Sequence, residues 1–500
     1  MNTMLKNFFN NMHKEEIRYC HWKSNNNLGL ALSGVDDVDI LVDYRRFTDF
    51  IAIISSFGFR QAEDRHGINN PFVFHYYGYD DVSGDIMHLH VYFRIVTGGS
   101  IFKNHVIPVE ELFLSNLRPY KDIYIPDAEI DYALLVIRKM IEQSSIIEHY
   151  LFIHDLPNIH NEMDWLSKDI NNDRLKEVIE NNFPNLPYSV FQECVAAIRD
   201  KSQYWKRIRL GFAMSARFSG RAASWWTATR YRSIEFFLAI IRSRMPNLFS
   251  AKLHRVQLPG GIIVSFVGSE ASGKSTLSGA LYDELKKTYR VSRVHLGKPP
   301  RTFLSRFLWL GIRVLIKIKL IVTKPITLFK GETVVDKKNG TLLRGAYDPH
   351  PIIACLDAFD RNRALRNCVR LAMDGEIVIT DRLPSSILGQ IDGPKIQHTK
   401  NFYGYLGRLE RAFYDSAATS DLIFRVGSSL EITLSRNTQR EVTEPEDFVI
   451  SRYEQFKQSV FPGVSIVDID TSKAIDSCIK LIRQSFFGFY TGRSPAIKRD

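Results

Sequence analysis

Cysteine is scarce: the 500-residue chain has five (Cys20, Cys194, Cys355, Cys368, Cys478), an odd number without metal-ligand spacing. That argues against a disulfide or zinc framework and leaves free thiols in a reducing cytosol as the expectation. The opening MNTMLKNFFNNMHKEE has no long apolar core after Lys6, so no secretory signal is read there. Internal repeats and low-complexity tracts are missing as well. Apolar residues at 45% and charged residues at 24% are ordinary for a soluble globular protein. A chain of 500 residues exceeds a single core, so two or three domains are expected.

Acidic charge is nearly absent from one stretch. Residues 201–255 hold twelve basic residues against one acid, Glu235, which accounts for the whole net charge of +11. Aromatics are interleaved there, among them Trp205, Trp225, Trp226, Phe236 and Phe237. The organisation expected is a first domain over 1–127, a helical extension over 128–200, a basic connector over 201–257 and a second domain over 258–500.

The strongest local signal opens that second domain. Ile262 to Val267 is a short apolar run with β-branched residues, as for a strand buried on both faces. Gly268, Ser269, Glu270, Ala271, Ser272, Gly273, Lys274 and Ser275 then match G-x-x-x-x-G-K-[ST], and a helix is expected from Thr276. The glycines let successive N–H groups turn inward as an anion-binding nest at a helix N-terminus. Lys274 would neutralise the β- and γ-phosphates of ATP, and Ser275 would ligate Mg²⁺. Farther on, Glu376 to Thr380 reads as a buried strand ending in Asp381-Arg382. In parallel sheets, ligand-binding groups emerge at strand carboxyl ends. Asp381 is therefore a candidate for assisting Mg²⁺ or taking an acceptor proton, and Arg382 for gripping an acceptor phosphate.

The segments ACLDAFDRNRALRNCVRLAMDGEIVITDRLPSS and LSRNTQREVTEPEDFVISRYEQF resemble the thymidylate kinase family, over roughly 262–460. The resemblance implies a P-loop fold, a parallel sheet flanked by helices, and ATP-dependent phosphoryl transfer to a small acceptor. It places Arg361 at the acceptor, Arg382 at the acceptor phosphate, and Arg436 and Arg440 in a lid over the transferring group. Cations suit that work, because phosphoryl transfer is mainly positioning and stabilisation of charge. The acceptor side departs from the family: His295-Leu-Gly-Lys-Pro-Pro300 replaces an R-E-P-G-G-type loop, Leu383 follows Asp-Arg, and about 301–350 is an insertion. A nucleoside monophosphate and a sugar or sugar phosphate both stay open as acceptor. Relatives of this domain commonly pair, which leaves a homodimer open.

Within the insertion, TFLSRFLWLGIRVLIKIKLIVTKPITLF is interrupted by Arg313, Lys317 and Lys319, which argues against a membrane-spanning helix. Arg306, Arg313, Lys317 and Lys324 form a helical stripe suited to an anionic bilayer surface, or to the solvent edge of a helix packed on the core. The basic connector fits anionic lipid or a plain linker; with no recognisable nucleic-acid motif, nucleic acid ranks last. A cytoplasmic location, peripheral to the inner face of a membrane, would accommodate both stretches.

The first domain carries its own constellation in RYCHWKSNNNLGLALSGVDDVDILVD. Asp37 and Asp39 alternate before and within a strand, so both carboxylates share a face and could hold Mg²⁺ against phosphates. This resembles the D-x-D motif of the nucleotidyltransferase superfamily, an α+β domain, over about 15–115. It also resembles such domains fused to thymidylate kinase-like ones in bacterial surface-polysaccharide synthesis. A third acid is expected on a later strand. Ile86 to Arg94 instead offers His88, His90, Tyr92 and Arg94 on its polar face, with His88 or His90 as substitute metal ligands and Asp85 at the strand's start. The reading reached is a small-molecule kinase, bifunctional if the first domain is an active nucleotidyltransferase. The alternative is a nucleotide-binding regulatory or membrane-associated protein with a degenerate transferase domain.

Overall fold

The computed structural model describes residues 2–64, 70–99, 103–144, 146–224, 226–230, 233, 255–258, 260–297, 299, 301–302, 305–312, 314, 350–390, 392–397, 401–415, 420–439, 443–459, 461, 463–492 and 498–499. The chain is mixed α/β and divides into two compact units after Leu258, with residues 491–492 grouped with the first.

The first unit begins with helix Thr3–Lys14, started by Asn2, whose side chain accepts from the backbone N–H groups of Met4 and Leu5. Met4, Leu5, Phe8, Phe9 and Met12 fall on one side at helical spacing and are all buried. Five strands follow: β1 (Tyr19–His21), β2 (Val38–Val42), β3 (Arg60–Asp64), β4 (Val73–Tyr79) and β5 (Ile86–Tyr92). They lie in the order β1-β2-β5-β4-β3, with Arg255–Gln257 pairing β3 at the edge. Only the β2–β5 pair in this sheet is parallel, which sets Asp39 directly beside His90. Helices Ala128–Glu142, Ile146–Ser167, Asn172–Asn182 and Tyr188–Arg199 build a second core around Ile130, Leu134, Ile137 and Ile141.

Within the stretch read as a connector, Tyr204–Arg217 is a helix of this unit, with Leu210, Gly211 and Met214 buried. A Cβ on Gly211 would lie 2.7 Å from the backbone carbon of Gln143, so glycine is what lets this helix approach so closely. Arg207, fully buried, gives its guanidinium protons to the carbonyls of Ala197, Asp200 and Lys201. Trp205 and Trp226 are exposed. Trp225, Phe236 and Phe237 lie outside the described residues, as do Arg313, Lys317, Lys319 and Lys324 of the insertion. Of that insertion, residues 305–312 are helical, with Phe307 and Leu310 exposed. No helix among the described residues is long and apolar enough to cross a membrane.

The second unit is a parallel sheet in the order Val291–His295, Ile377–Asp381, Ile262–Val267, Leu422–Gly427, Ser465–Asp470, with Lys498–Arg499 antiparallel at its edge. Every residue of Ile262–Val267 and Ile377–Asp381 is buried, as expected where helices cover both faces. The polar atoms inside these strands are satisfied across the sheet: Ser265 and Thr380 share a hydroxyl hydrogen bond of 2.7 Å. The first strand in sequence, Ile262–Val267, thus lies between the third and the fourth. The chain runs to both sides of it, which opens a crevice at its carboxyl end.

Candidate functional site

That crevice holds a cavity of about 680 Å³. Its floor is the loop after Ile262–Val267. Gly268 is required there, since a Cβ would sit 2.3 Å from the carbonyl oxygen of Val426. Gly273 turns through φ +86° and caps helix Lys274–Leu285, so the free N–H groups of the helix's first turn face the cavity. Ala271 also has positive φ, at +56°, a strained conformation for a side-chain-bearing residue. Lys274 is buried, and its ammonium donates to the Ser269 carbonyl and, at 3.3 Å, to the Ser272 hydroxyl. Burial, with Arg382 nearby, lowers its pKa to about 8.

The strand end Ile377–Asp381 supplies the opposite wall. Asp381 accepts from the Ser278 hydroxyl at 2.6 Å and from Arg293 at 2.8 Å. Arg382, at φ +74°, ion-pairs with Glu270 of the loop and with Asp392 at 3.1 Å. Arg361, buried on helix His350–Met373, donates to Tyr414 at 2.6 Å, to the carbonyls of Leu296 and Gly297 at 3.2 Å, and to Asp392 at 3.1 Å. Arg436, on helix Leu430–Thr438, donates to the Thr471 hydroxyl at 3.0 Å and carbonyl at 2.7 Å.

The single cavity is lined by Glu270 to Thr276 together with Arg361, Asp381, Arg382 and Arg436. Gly268 borders a smaller neighbouring space, Ser269 is buried, and Arg440 lies outside the described residues. Ser275 and Asp381 place a hydroxyl and a carboxylate on the same cavity, the hard oxygen donors that Mg²⁺ takes. Sequence reasoning missed Asp392 and Arg293. Asp392 sits in a turn between Gly389 and Pro394, where an aspartate reads as turn chemistry; only the fold shows that it serves two arginines.

In the first unit Asp37 and Asp39 do face the same way, toward the polar side of β5. Asp37 Oδ1 is 2.5 Å from His88 Nδ1, and Asp39 Oδ1 is 3.3 Å from His90 Nδ1 and 3.6 Å from the Lys23 ammonium. Burial opposes ionisation of both acids, but His88 holds Asp37 below the usual carboxylate range, and Lys23 and His90 hold Asp39 well below it. β5 sets His90 beside Asp39, and the polar face of that strand carries no acid. A third histidine, His75 on β4, stands opposite His90 and brings Nδ1 to 3.1 Å from His88 Nε2. Burial drives His75 far below the ordinary histidine range and His88 to about 4. A cavity of about 810 Å³ is lined by Lys23, Lys103, Arg138 and Lys139 among others.

The chain is 26% identical over 221 residues to a protein of Escherichia coli, in strains K12 and O6:H1 CFT073, named uncharacterized ATP-binding protein YghR; the match spans 43% of this chain and 81% of that protein. No protein-family model matches. Among solved structures, a thymidylate kinase from Candida albicans aligns with 48% of this chain and 97% of its own, at 14% identity and a TM-score of 0.28.

Proposed function

We propose that the second unit is an ATP-dependent phosphotransferase acting on a small acceptor. One observation carries the reading: the phosphate-type loop with Lys274, and three arginines from three other elements, line the same cavity. A nucleotide sensor needs the loop but has no use for Arg361, Arg382 and Arg436 converging opposite it. The loop N–H groups and Lys274 would hold the β- and γ-phosphates, and Arg436 would meet charge developing on the transferring group. Arg382 and Arg361 would orient the acceptor. Mg²⁺, held by Ser275 and Asp381, would supply neutralisation of the phosphate oxygens. The named E. coli relative, an ATP-binding protein, supports the nucleotide half of this reading.

For the acceptor, a nucleoside monophosphate and a sugar or sugar phosphate both fit a cavity of mixed charge, in which Glu270, Asp357 and Asp392 stand among the cations. The nucleotidyltransferase-like motif of the first unit supports placing the reaction in precursor supply for a surface polysaccharide. His90 beside Asp39 weighs against transferase chemistry in that unit, so bifunctionality is not part of the proposal. Screening nucleoside monophosphates, sugars and sugar phosphates for ATP turnover, with product mass measured, tests it. One acceptor should gain 80 Da, the mass of a phosphoryl group. Lys274→Ala should abolish the gain, and Asp37→Ala with Asp39→Ala should leave it. Equal loss in both variants would contradict a separate kinase site, and no product with any acceptor would favour the sensor reading.

A further inference from the structure

We propose that His75, His88 and His90 form a binding site for a transition-metal dication of the Zn²⁺ class, with Asp37 and Asp39 acting as outer supports that orient two of the histidines. The site lies in the first unit and does not rest on the kinase reading.

One ligand-capable nitrogen from each of the three histidines lies within 4.8 Å of the others, the only such cluster among the described residues. The sheet brings them together. β4 and β5 run antiparallel with His75 opposite His90, and the period of two puts His88 on the same face as His90. The hydrogen bonds to the two carboxylates favour tautomers that leave Nε2 free. Asp37 takes the proton on His88 Nδ1 at 2.5 Å, and Asp39 the one on His90 Nδ1 at 3.3 Å. In a neutral imidazole the other nitrogen then carries a lone pair. His88 Nε2 points at His75 Nδ1, 3.1 Å away. His90 Nε2 is buried and makes no hydrogen bond, although Asp37 Oδ2 lies 3.3 Å from it. A buried lone pair without a donor is costly, and a metal ion would satisfy it.

One pair of nitrogens already has the spacing a dication needs. Two imidazoles bound at 2.0–2.1 Å in a tetrahedral site stand about 3.3 Å apart, and His75 and His88 already do so within a few tenths of an ångström. Binding asks two changes of the chain: His75 moves its proton from Nδ1 to Nε2, a tautomer shift that leaves its charge unchanged, and the three nitrogens, now within 4.8 Å of one another, draw together around the ion. Carboxylate–imidazole–metal relays of this kind set ring orientation and ligand basicity. The donor set selects the ion, because imidazole suits Zn²⁺ and its neighbours whereas Mg²⁺ takes oxygen. Three nitrogens leave a fourth position for water or a ligand atom.

The test uses the full chain, stripped with a chelator and dialysed against Zn²⁺ at micromolar concentration in millimolar Mg²⁺, with metal content measured. About one Zn²⁺ per chain is expected, and Co²⁺ in its place should give visible bands of a nitrogen-ligated ion without a thiolate charge-transfer band. His75→Gln with His90→Gln should abolish retention. Asp39→Asn should weaken it by about 10–100-fold, as loss of an outer support does. Retention of no zinc by the wild type overturns the site. So does undiminished retention in the histidine double variant. A thiolate band in the wild-type Co²⁺ spectrum would place the ion on cysteine and overturn it without recourse to any variant.

Discussion

Arg382 ion-pairs with Glu270, so the end of one parallel strand is tied to the middle of the phosphate-type loop that follows its neighbour. The guanidinium is thereby held over the cavity before any ligand arrives, with Asp392 fixing its other edge at 3.1 Å. A planar fork suits this double engagement, and a lysine would not reproduce it. Arg382→Ala should lower kcat by roughly 10²-fold, the effect of misplacing a reactant that the enzyme otherwise holds in line. ATP affinity, set by the loop, should stay within about threefold, a small change against the 1.5–3 kcal/mol of a lost charged hydrogen bond. A coupled ADP-release assay with titration calorimetry checks both, and Arg382→Lys should fail to restore the rate.

Asp392 is the shared counter-charge of Arg361 and Arg382, and both ion pairs are largely shielded from water. Asp392→Ala removes it and leaves both guanidiniums short of one partner. The expected loss is up to about 3–5 kcal/mol, typical of breaking a buried pair by deleting one partner. Thermal denaturation of the unliganded variant measures it; a Tm equal to wild type would show that the pairs carry no stability.

The ammonium of Lys274 has a pKa of about 8, lowered by burial and by Arg382. The unfolded chain keeps that proton to about pH 10.4. From about pH 8 upward the native state therefore binds fewer protons than the unfolded one, and this group's contribution to stability improves with pH. Nucleotide affinity moves the other way, because phosphate needs the charged lysine. At constant free Mg²⁺, ATP affinity should fall about tenfold between pH 7 and pH 9. Lys274→Arg, protonated throughout, should flatten that profile.

Two glycines shape the loop for different reasons. Gly268 faces the Val426 carbonyl, 2.3 Å from where a Cβ would stand, and Gly273 needs φ +86°. Gly273→Ala should cost about 1–2 kcal/mol for the left-handed conformation alone. Gly268→Ala should cost more, because backbone must move, and it should abolish nucleotide binding. Denaturant melts and nucleotide titrations on the pair separate strain from loss of the nest.

The loop was legible in the sequence because its parts are contiguous: strand, glycines, lysine and helix follow one another from Ile262 to Leu285. Asp381 and Arg382 were legible as a strand end. The bracing of Arg361 and Arg382 by Asp392 was not, since it depends on bringing a helix, a strand end and a turn together. His75 was missed for a similar reason. Its strand could be guessed, but the register that sets it opposite His90 is a property of the paired sheet. The third acid expected on a later strand for Asp37 and Asp39 is not found on the polar face of β5, where the register sets His90 beside Asp39.

Everything assigned to the second unit depends on Gly268 to Thr276 enclosing the phosphates of ATP. Calorimetric titration of ATP with Mg²⁺ into the wild type and Lys274→Ala tests this most directly. The expected result is one saturable site in the wild type and affinity weakened by at least about tenfold in the variant, the loss of one charged hydrogen-bond donor. No heat of binding in the wild type, or equal affinity in both proteins, would contradict it.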